Sequence, residues 1–408
     1  MDSSTSFERK KHIRFFSRIL QILPHRYSIL DTSRLTITFF ALSGLDVLNA
    51  LDHLSEKNKQ EIIEWIYSLQ VIPNEAESNT CKCGFRGSTC NGVTTPQYAK
   101  AMESTNEYDS SHIAMTYTGL ASLLILSDDL QRVNKKACLE GIRALQLPDG
   151  SFKSTYDGSE NDMRFIYCAC CVSAILNDFS AIDTAQATSF IRKSLCYDGA
   201  FGQGPGLESH GGSTFCAFAS LKLMKTLNSA LSKQQLKWLE YWCVSRQKMG
   251  FHGRPHKDDD TCYSFWVGAT LKLLGVFELI DFKENEEFVL STQDNIVGGF
   301  AKWPQIHPDA LHSYMGVCGL SLMGLHNLQP IDPALNVTQR VRTHMEELHA
   351  KWAAAETRKL QTTSMDRSRT KSSTIDRTHT GTVVLAFVIG LGAVVVPWIY
   401  KVYFRHAT

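Results

Sequence analysis

Four short stretches of this chain share one pattern, in which a glycine-containing turn interrupts an apolar run. They are LQLPDGSF (145–152), SLCYDGAF (194–201), RQKMGFHG (246–253) and QDNIVGGF (293–300). Their glycines at 150, 199, 250 and 299 lie 49, 51 and 49 residues apart. Self-similarity at such a period is the signature of a repeat architecture. The fold is therefore expected to be built from one unit that recurs along the chain.

Each turn is followed by a polar stretch and then by an apolar segment that reads as a helix. These segments are MRFIYCACCVSAIL, STFCAFASLKLMKTL, TCYSFWVGATLKLLG and LHSYMGVCGLSLMGL. A more amphipathic helix follows, such as residues 232–246, and strand signals are sparse. Two helices per unit predict stacked helical hairpins, arranged as an open solenoid or as a closed ring. A ring with the apolar helices inside explains why those helices are apolar on nearly every face.

The composition of the chain is that of a folded globular protein. Of its 408 residues, 43% are hydrophobic and 20% are charged, and the formal net charge is +1. This charge gives no sign of a nucleic-acid partner. Residues 1–14 are polar and charged, so no signal peptide is predicted. The twelve cysteines are therefore expected to be reduced in the cytosol, as core residues or metal ligands.

Composition also divides the chain into three parts. Residues 1–345 are predicted to form the globular ring, and residues 346–380 start helical and then become polar, as in a linker. Residues 382–400 carry no charge over about 19 positions, enough for a helix to cross a bilayer. Residues 381–408 are therefore predicted to be a membrane anchor at the C-terminus, with the rest of the chain in the cytoplasm. The alternatives are a buried core helix or the tail of an unusual transcript.

Two groups of polar residues in the turn-to-helix segments suggest chemistry. Asp260, Cys262 and His312 offer a carboxylate, a thiolate and an imidazole, a three-ligand zinc set that leaves one position open. The alternative is that Cys262 is a core cysteine and Asp260 a helix N-cap. The second group suits a phosphate-like anion, although a solvated charged turn is equally consistent. It consists of His210, Arg254, Lys257, Tyr263 and Lys302, with Gly211 and Gly212 nearby.

Several further features have ordinary structural roles as alternatives. Aromatic residues on the apolar helices could line a tunnel for a hydrocarbon, or could simply be core: Phe40, Phe265, Trp266, Trp303 and Tyr314. The stretch 257–261 resembles the acid motif of squalene-type cyclases, but a lysine replaces its first aspartate, which argues against an alkene-protonating acid. Cys81, Cys83, Cys90 and His112 match no standard zinc-finger spacing and are interpreted as structural.

These motifs, in their order and spacing, resemble the β-subunits of protein prenyltransferases over about residues 10–345. The resemblance rests on DGSFKS and GSENDMRFIYCACC, DGAFGQGPGLESHGGSTFCA, GFHGRPHKDDDTCYSFWVGA, and GGFAKWPQIHPDALHSYMG. It implies an all-α fold, an α/α toroid of about six hairpins, paired with a helical α-subunit. Within this family, the type I geranylgeranyl branch is the most similar. The resemblance implies transfer of a geranylgeranyl group from geranylgeranyl diphosphate to the cysteine of a C-terminal CaaX motif, with X mainly Leu. The acceptors would be proteins such as small GTPases.

The resemblance also implies roles for individual residues. Asp260, Cys262 and His312 become zinc ligands, and His210, Arg254, Lys257 and Tyr263 become a diphosphate clamp. Lys302 stands where farnesyltransferases have an aspartate that helps hold magnesium, which implies that Mg²⁺ is not required. Thr36, Phe40 and Leu311 match the pocket for the acceptor peptide. Thr36 replaces a tryptophan that shortens the lipid cavity in farnesyltransferases, and Arg164, with His112 and Glu160 nearby, matches the region of the peptide carboxylate.

Three alternatives remain beside the type I interpretation. A Rab-type geranylgeranyltransferase β-subunit shares the zinc motif, and Lys302 with the segment LHSYMG argues for type I instead. A farnesyltransferase is disfavoured by Thr36 and Lys302. A catalytically silent, membrane-tethered scaffold is the alternative from another class, and the intact zinc ligands argue against it.

Overall fold

A computed structural model of the chain describes residues 6–91 and 109–373, with only the backbone described for 359–373. Its contacts divide the chain into Met1–Lys351 and Trp352–Thr408. The helices α1 to α14 are Arg9–Gln21, Arg34–Val47, Glu56–Ser68, Ile113–Ile125, Lys135–Leu145, Met163–Leu176, Thr184–Lys193, Gly211–Leu223, Leu227–Ala230, Lys233–Val244, Tyr263–Leu274, Phe282–Ser291, Ala310–Leu322 and Gln339–Ser373. Short 3-10 helices cover His25–Ser33, Leu51–His53, Thr80–Lys82 and Phe277–Leu279. Strand β1 (Gln70–Val71) pairs with β2 (Gly84–Phe85), and β3 (Ile331–Asp332) pairs with β4 (Val337–Thr338), both antiparallel.

The apolar helices close into a ring. Within the described residues, helix α2 packs on α4, and the contacts continue through α6, α8, α11 and α13 back to α2. This closure decides between the two arrangements that the repeat allowed, and the open solenoid is wrong. The predicted toroid of about six hairpins is confirmed, since the described residues provide six inner helices. Close approach is possible because of small residues: a Cβ on Gly319 in α13 would lie 2.7 Å from the Ser264 side chain in α11.

The outer helices begin at polar caps, as their amphipathic sequences require. The N-cap side chains that accept backbone N–H groups are Ser55 for α3, Asn134 for α5, Asp183 for α7, Ser232 for α10 and Asp281 for α12. Ser232 and Gln235 form a capping box. Each outer helix can therefore start immediately after the loop that leaves the inner helix.

The turns that reveal the repeat in the sequence form equivalent rim segments in the structure. The same kind of antiparallel bridge recurs in each unit: Gln146↔Phe152, Leu195↔Phe201, Gln247↔Phe251 and Gln293↔Phe300. Gly150 and Gly199 have φ of 96° and 94°, which a side chain would disfavour. Near the start of α2, α4, α6, α8 and α11, a backbone N–H also donates to the carbonyl of another rim segment, as Gly211 does to Gly253 at 2.8 Å. These bonds bring the polar residues that precede the inner helices to one rim of the ring.

The β3–β4 hairpin is bound to the inner helices by hydrogen bonds to the carbonyl groups of residues 334–336. The hydroxyls of Tyr117, Tyr167 and Tyr314, from three inner helices, donate to the carbonyls of residues 335, 334 and 336 at 2.7, 3.0 and 2.7 Å. Buried hydroxyls need such partners. These hydrogen bonds fix the β3–β4 hairpin against the inner helices. Asn336, the first residue of the sequence Asn-Val-Thr, is buried there at 4% exposure.

The C-terminal predictions have separate outcomes. Helix α14 continues to Ser373, through most of the predicted linker, because residues 346–361 are rich in good helix formers. The proposed domain boundaries stay a prediction. Among the described residues no helix is long and apolar enough to cross a membrane. The predicted anchor, 381–408, lies outside the described residues.

Candidate active site

Three side chains at the rim converge as the sequence predicted. The ligand atoms of Asp260, Cys262 and His312 lie within 4.8 Å of one another. Nε2 of His312 is 3.4 Å from Oδ1 of Asp260, and both Asp260 and Cys262 are 7% exposed. Carboxylate, thiolate and imidazole in this geometry are a donor set that can hold a metal ion with one position left for another ligand.

Local backbone structure explains this convergence. Asp260 and Cys262 lie at the start of α11, where the Cys262 N–H donates to Asp260 Oδ1 at 2.9 Å. His312 lies in the first turn of the neighbouring helix α13. Asp309 caps that helix by accepting from the His312 N–H at 2.9 Å, and its Oδ2 is 2.7 Å from His312 Nδ1. A carboxylate on Nδ1 orients the ring, so Nε2 faces the cluster.

The metal-free protonation states follow from these contacts. Burial alone would lower the pKa of His312, but its hydrogen bonds to Asp260 and Asp309 outweigh burial and raise the pKa to about 9. Burial acts to raise the pKa of Asp260, yet hydrogen bonds with His312 and Cys262 hold that pKa below its usual range. Burial and the Asp260 charge raise the pKa of the Cys262 thiol well above its usual value. A bound cation would have to displace protons from both Cys262 and His312.

A second group lies at the start of α8 and α11. His210 caps α8, and its Nδ1 accepts from the N–H groups of Gly212 and Ser213 at 3.1 and 3.4 Å. The opposite nitrogen, Nε2, therefore carries the proton and donates to the Tyr263 hydroxyl at 2.7 Å. Burial, reinforced by Arg254, lowers the pKa of His210, which keeps this ring neutral. The hydroxyl proton of Tyr263 is left free to donate to a ligand.

The cations of the predicted clamp lie in the rim segments before α11 and α13. Arg254 Nη1 is 2.7 Å from Oε2 of Glu208, a pair near the surface. Lys257 is exposed, three residues before Asp260. Lys302 Nζ lies 3.8 Å from Asp260 Oδ2 and 4.5 Å from the centre of the Trp303 ring. The positive end of a helix dipole also favours an anion where these groups meet.

The residues predicted for the acceptor peptide, Thr36, Phe40, Leu311 and Arg164, lie on inner helices, and Leu311 is next to the candidate metal ligand His312. Thr36 in α2 is half-buried, with its hydroxyl 3.2 Å from Met115 Sδ and 3.5 Å from Thr118 Oγ1. The Phe40 ring lies 5.8 Å from that of Tyr314, and Leu311 is half-buried next to His312. Neighbouring rings, most of them buried, continue this series of aromatic contacts along the inner helices. They include Phe39, Tyr117, Tyr167, Phe215 and Trp266.

Three aromatic side chains differ from the lining that the sequence suggested. Phe265 has no exposed surface and packs against Phe215 at 5.2 Å, and Tyr314 is equally buried, so both are core in this structure. Trp303 lies in the rim segment before α13 and is 41% exposed. It accompanies Lys302 and does not belong to an inner helix.

Arg164 forms a separate rim cluster with two carboxylates. Its guanidinium contacts Oδ2 of Asp162 and Oε1 of Glu160, both at 2.6 Å. His112 caps α4 and packs edge-on against Phe165 at 6.0 Å. Burial lowers the pKa of His112, so the ring is neutral at neutral pH.

Three rim carboxylates that contact predicted site residues were missed by sequence reasoning. Asp162 and Asp309 cap inner helices, and Glu208 holds Arg254. Asp162 and Asp309 stand immediately before apolar helices, and Glu208 stands two residues before the capping residue His210. These positions in the sequence could have indicated that the three carboxylates lie at the rim. Cys81, Cys83 and Cys90 carry free thiols, and the metal-ligand cluster found in the described residues is Asp260, Cys262 and His312.

Comparison with known proteins places this ring and rim in a defined family. Residues 7–337 match the family model of the prenyltransferase alpha-alpha toroid domain, and the chain belongs to this family. The geranylgeranyl transferase type-1 subunit beta of Dictyostelium discoideum is 41% identical over 338 residues, covering 81% of this chain and 95% of that protein. Its counterpart in Arabidopsis thaliana is 36% identical over 345 residues, covering 82% and 90%.

A solved structure agrees with these relatives. The protein geranylgeranyltransferase-I of Candida albicans, complexed with GGPP, has a chain that superposes with a TM-score of 0.73. It is 27% identical and covers 84% of this chain and 99% of its own length. The sequence predictions of an α/α toroid and of a type I protein geranylgeranyltransferase subunit are thereby confirmed.

Proposed function

We propose that this chain is the catalytic β-subunit of a zinc-dependent protein geranylgeranyltransferase that modifies the cysteine of C-terminal CaaX sequences. The observation that carries the proposal is the convergence of Asp260, Cys262 and His312 within 4.8 Å at the rim of the ring. Next to them lie the predicted groups for an anion, and the inner helices that begin there carry aromatic rings in contact with one another. Thiol, diphosphate and lipid can thus meet at one point.

The donor set fits zinc better than it fits a hard cation. A thiolate and an imidazole are ligands of Zn²⁺, whereas Mg²⁺ takes oxygen ligands. Asp309 on Nδ1 of His312 adds the outer carboxylate that zinc-bound histidines commonly have. A zinc ion bound there would keep the acceptor cysteine as a thiolate at neutral pH.

The residues proposed to hold the diphosphate are His210, Arg254, Lys257, Tyr263 and Lys302. Tyr263 has a free hydroxyl proton, and His210 fixes its oxygen at 2.7 Å. Arg254, Lys257 and Lys302 supply positive charge where negative charge develops on the departing diphosphate. Because Lys302 already supplies a fixed cation at this place, we propose that Mg²⁺ is not needed.

Lipid and peptide selectivity are assigned to the inner helices. Thr36 leaves more room than an aromatic residue would, which suits a 20-carbon chain. The apolar surface orients the lipid so that its first carbon lies near the acceptor sulfur. Phe40 and Leu311, beside the metal ligand His312, are proposed to contact the aliphatic residues of the peptide, and Arg164 its carboxylate.

The proposal includes partners and location. The active enzyme is proposed to be a heterodimer with a helical α-subunit, acting on CaaX proteins such as small GTPases. A cytoplasmic location and a membrane contact through residues 381–408 are carried over from the sequence as predictions.

Metal analysis of the purified heterodimer tests the zinc assignment. The wild type should contain one zinc per β-chain and no stoichiometric magnesium, and Cys262→Ala and Asp260→Asn should lose most of that zinc. Cys83→Ala, which changes a buried thiol outside the cluster, should keep it. Zinc retained by all variants would refute the site. Full zinc without any transfer to a Cys-a-a-Leu peptide would favour the Rab-type enzyme or the silent scaffold.

A further inference from the structure

Residues 252–259 form a rim loop that carries two of the proposed diphosphate ligands. His252 and Asp259 pair as an antiparallel bridge at the base of this loop. Arg254 and Lys257 lie between them, and the Lys257 N–H donates to the Arg254 carbonyl at 3.3 Å. The loop also contains His256 in the left-handed region, with φ of 62°. Whatever fixes the base of this loop therefore fixes the backbone from which both cations project, while Glu208 holds the Arg254 side chain from outside the loop.

The Asp259 side chain is mostly shielded from solvent, on the side away from the metal ligands. Successive residues of an extended segment point to opposite sides, and here Asp260 faces Cys262 and His312 while Asp259 faces the interior behind the loop. The Asp259 side chain is 12% exposed, and its Oδ2 accepts from the Gly250 N–H at 3.0 Å. A carboxylate is costly to bury without polar partners. The second oxygen of Asp259, Oδ1, therefore needs a polar partner of its own.

That partner is His252. Its Nδ1 lies 3.5 Å from Oδ1 of Asp259, and its side chain is 7% exposed. Both atoms are buried and neither makes a hydrogen bond within the described residues, so this 3.5 Å approach is an electrostatic contact between the two side chains. Nδ1 of His252 and Oδ1 of Asp259 therefore depend on each other for electrostatic stabilisation.

Backbone hydrogen bonds fix the two strands at the base of the loop: one bond reaches the end of the preceding helix, and the other joins the two strands to each other. The His252 N–H donates to the Arg246 carbonyl at 3.0 Å, and the Arg246 guanidinium packs 4.7 Å from the Trp242 ring of α10. The Asp260 N–H donates to the Phe251 carbonyl at 2.9 Å. Asp260, which directly follows Asp259, is the first candidate metal ligand, so the base of the loop and the metal cluster are adjacent in the chain.

We propose that Asp259, through His252 and Gly250, is a positioning residue that holds Arg254 and Lys257 in register with the Asp260–Cys262–His312 cluster. The inference rests on the proposed function, because it takes these cations as diphosphate ligands. Preorganised charges stabilise a leaving group without having to move during the reaction. A loosened base would leave the metal ligands in place and let the two cations spread over many positions.

The test uses the heterodimer with variants of this loop and inorganic pyrophosphate as the probe. Asp259→Val removes the carboxylate, and Asp259→Asn keeps an oxygen for the Gly250 N–H. Asp258→Val is the matched control, because the neighbouring Asp258 is exposed and carries the same charge. Arg254→Ala reports on the clamp itself. The readouts are the Kd of pyrophosphate, KM for geranylgeranyl diphosphate and for the peptide, and zinc content.

Asp259→Val should weaken pyrophosphate binding by about tenfold, since displacements of active-site groups by about 1 Å can cost about a hundredfold. KM for the diphosphate should rise with it, while zinc content and KM for the peptide stay unchanged. Asp259→Asn should recover most of the loss, and Asp258→Val should show none. In an Arg254→Ala, Lys257→Ala background, Asp259→Val should have little further effect.

Two outcomes would overturn the inference, and they differ from failure of the proposed function. If Arg254→Ala weakens pyrophosphate binding but Asp259→Val behaves like Asp258→Val, the positioning role is wrong. A lower melting temperature of Asp259→Val or Asp259→Asn with unchanged pyrophosphate Kd leads to the same conclusion. If Arg254→Ala and Lys257→Ala both leave the Kd unchanged, the diphosphate clamp itself is wrong.

Discussion

Lowering the pH from 7 to 5 should loosen the attachment of helix α1 to the last repeat, because His12 is buried there as a neutral imidazole. Its Nδ1 accepts from the Gly299 N–H at 2.9 Å, and its Nε2 donates to Gln293 Oε1 at 2.9 Å. The side chain has no exposed surface. Burial lowers the pKa of His12 to about 4, with only partial compensation from the hydrogen bond to Gln293.

The expected loss follows from the difference between this pKa and that of an open, hydrated histidine. A histidine with a depressed pKa in the closed state binds protons in the open state first, so stability falls as the pH drops from about 6.5 to about 4. The ceiling is about 3.4 kcal/mol, and about 2 kcal/mol of it is lost at pH 5. That corresponds to about a 30-fold increase in the population of the opened segment.

Hydrogen exchange of the heterodimer, followed by mass spectrometry, measures this opening. After correction for the intrinsic rate, protection of peptides covering residues 9–21 should fall by about 30-fold between pH 7 and pH 5. In His12→Gln this pH dependence should disappear, although basal protection drops too. Helix α10, residues 233–244, contains no histidine and serves as the internal control. His53→Gln, at an exposed histidine, is the matched variant.

The reasoning would be refuted if His12→Gln keeps the full pH dependence. It would also be refuted if protection of residues 233–244 falls in parallel, since the effect would then be global. A local loss that requires His12 confirms that the N-terminal helix is held by a neutral buried imidazole.

Three further predictions concern the site. Zinc affinity should rise with pH by up to about a hundredfold from pH 7 to 8, because Cys262 and His312 must each lose a proton; competition with a chelator measures it, and a flat profile would contradict the ligand set. Lys302→Ala should lower kcat by about a hundredfold in magnesium-free buffer, and Lys302→Asp should recover activity when Mg²⁺ is added; equal kcat for Lys302→Ala and wild type would remove Lys302 from catalysis. Thr36→Trp should shift kcat/KM by about tenfold or more toward the 15-carbon farnesyl donor, because an indole occupies the space beside Thr118; an unchanged donor preference would place the end of the lipid elsewhere.

The repeat and the residues of the candidate site were readable from the sequence because each is a local signal. The glycine turns mark each unit, and the apolar segments mark the inner helices. Asp260 and Cys262 lie two residues apart, and His312 occupies the equivalent place in the next unit. Once equivalent rim segments are taken to stack, these three are expected to meet.

Contacts between distant segments left no such local signal. No residue pattern near His12 indicates that its side chain hydrogen-bonds to Gln293, which lies 281 residues further along the chain. The same holds for the three tyrosines whose hydroxyls reach residues 334–336. The choice between an open solenoid and a ring depends on the contact between α2 and α13, which no single unit encodes. Asp259 reads as one more acidic residue in a charged turn, and only its burial separates it from Asp258.

The most direct test of the central claim is prenyl transfer by this chain co-expressed with a type I α-subunit. The assay offers a peptide ending in Cys-a-a-Leu, geranylgeranyl or farnesyl diphosphate, and no magnesium, with Cys262→Ala alongside. We expect geranylgeranyl transfer that clearly exceeds farnesyl transfer and is lost in Cys262→Ala. Zinc-loaded heterodimer that transfers neither lipid, or transfer that persists in Cys262→Ala, would contradict the assignment.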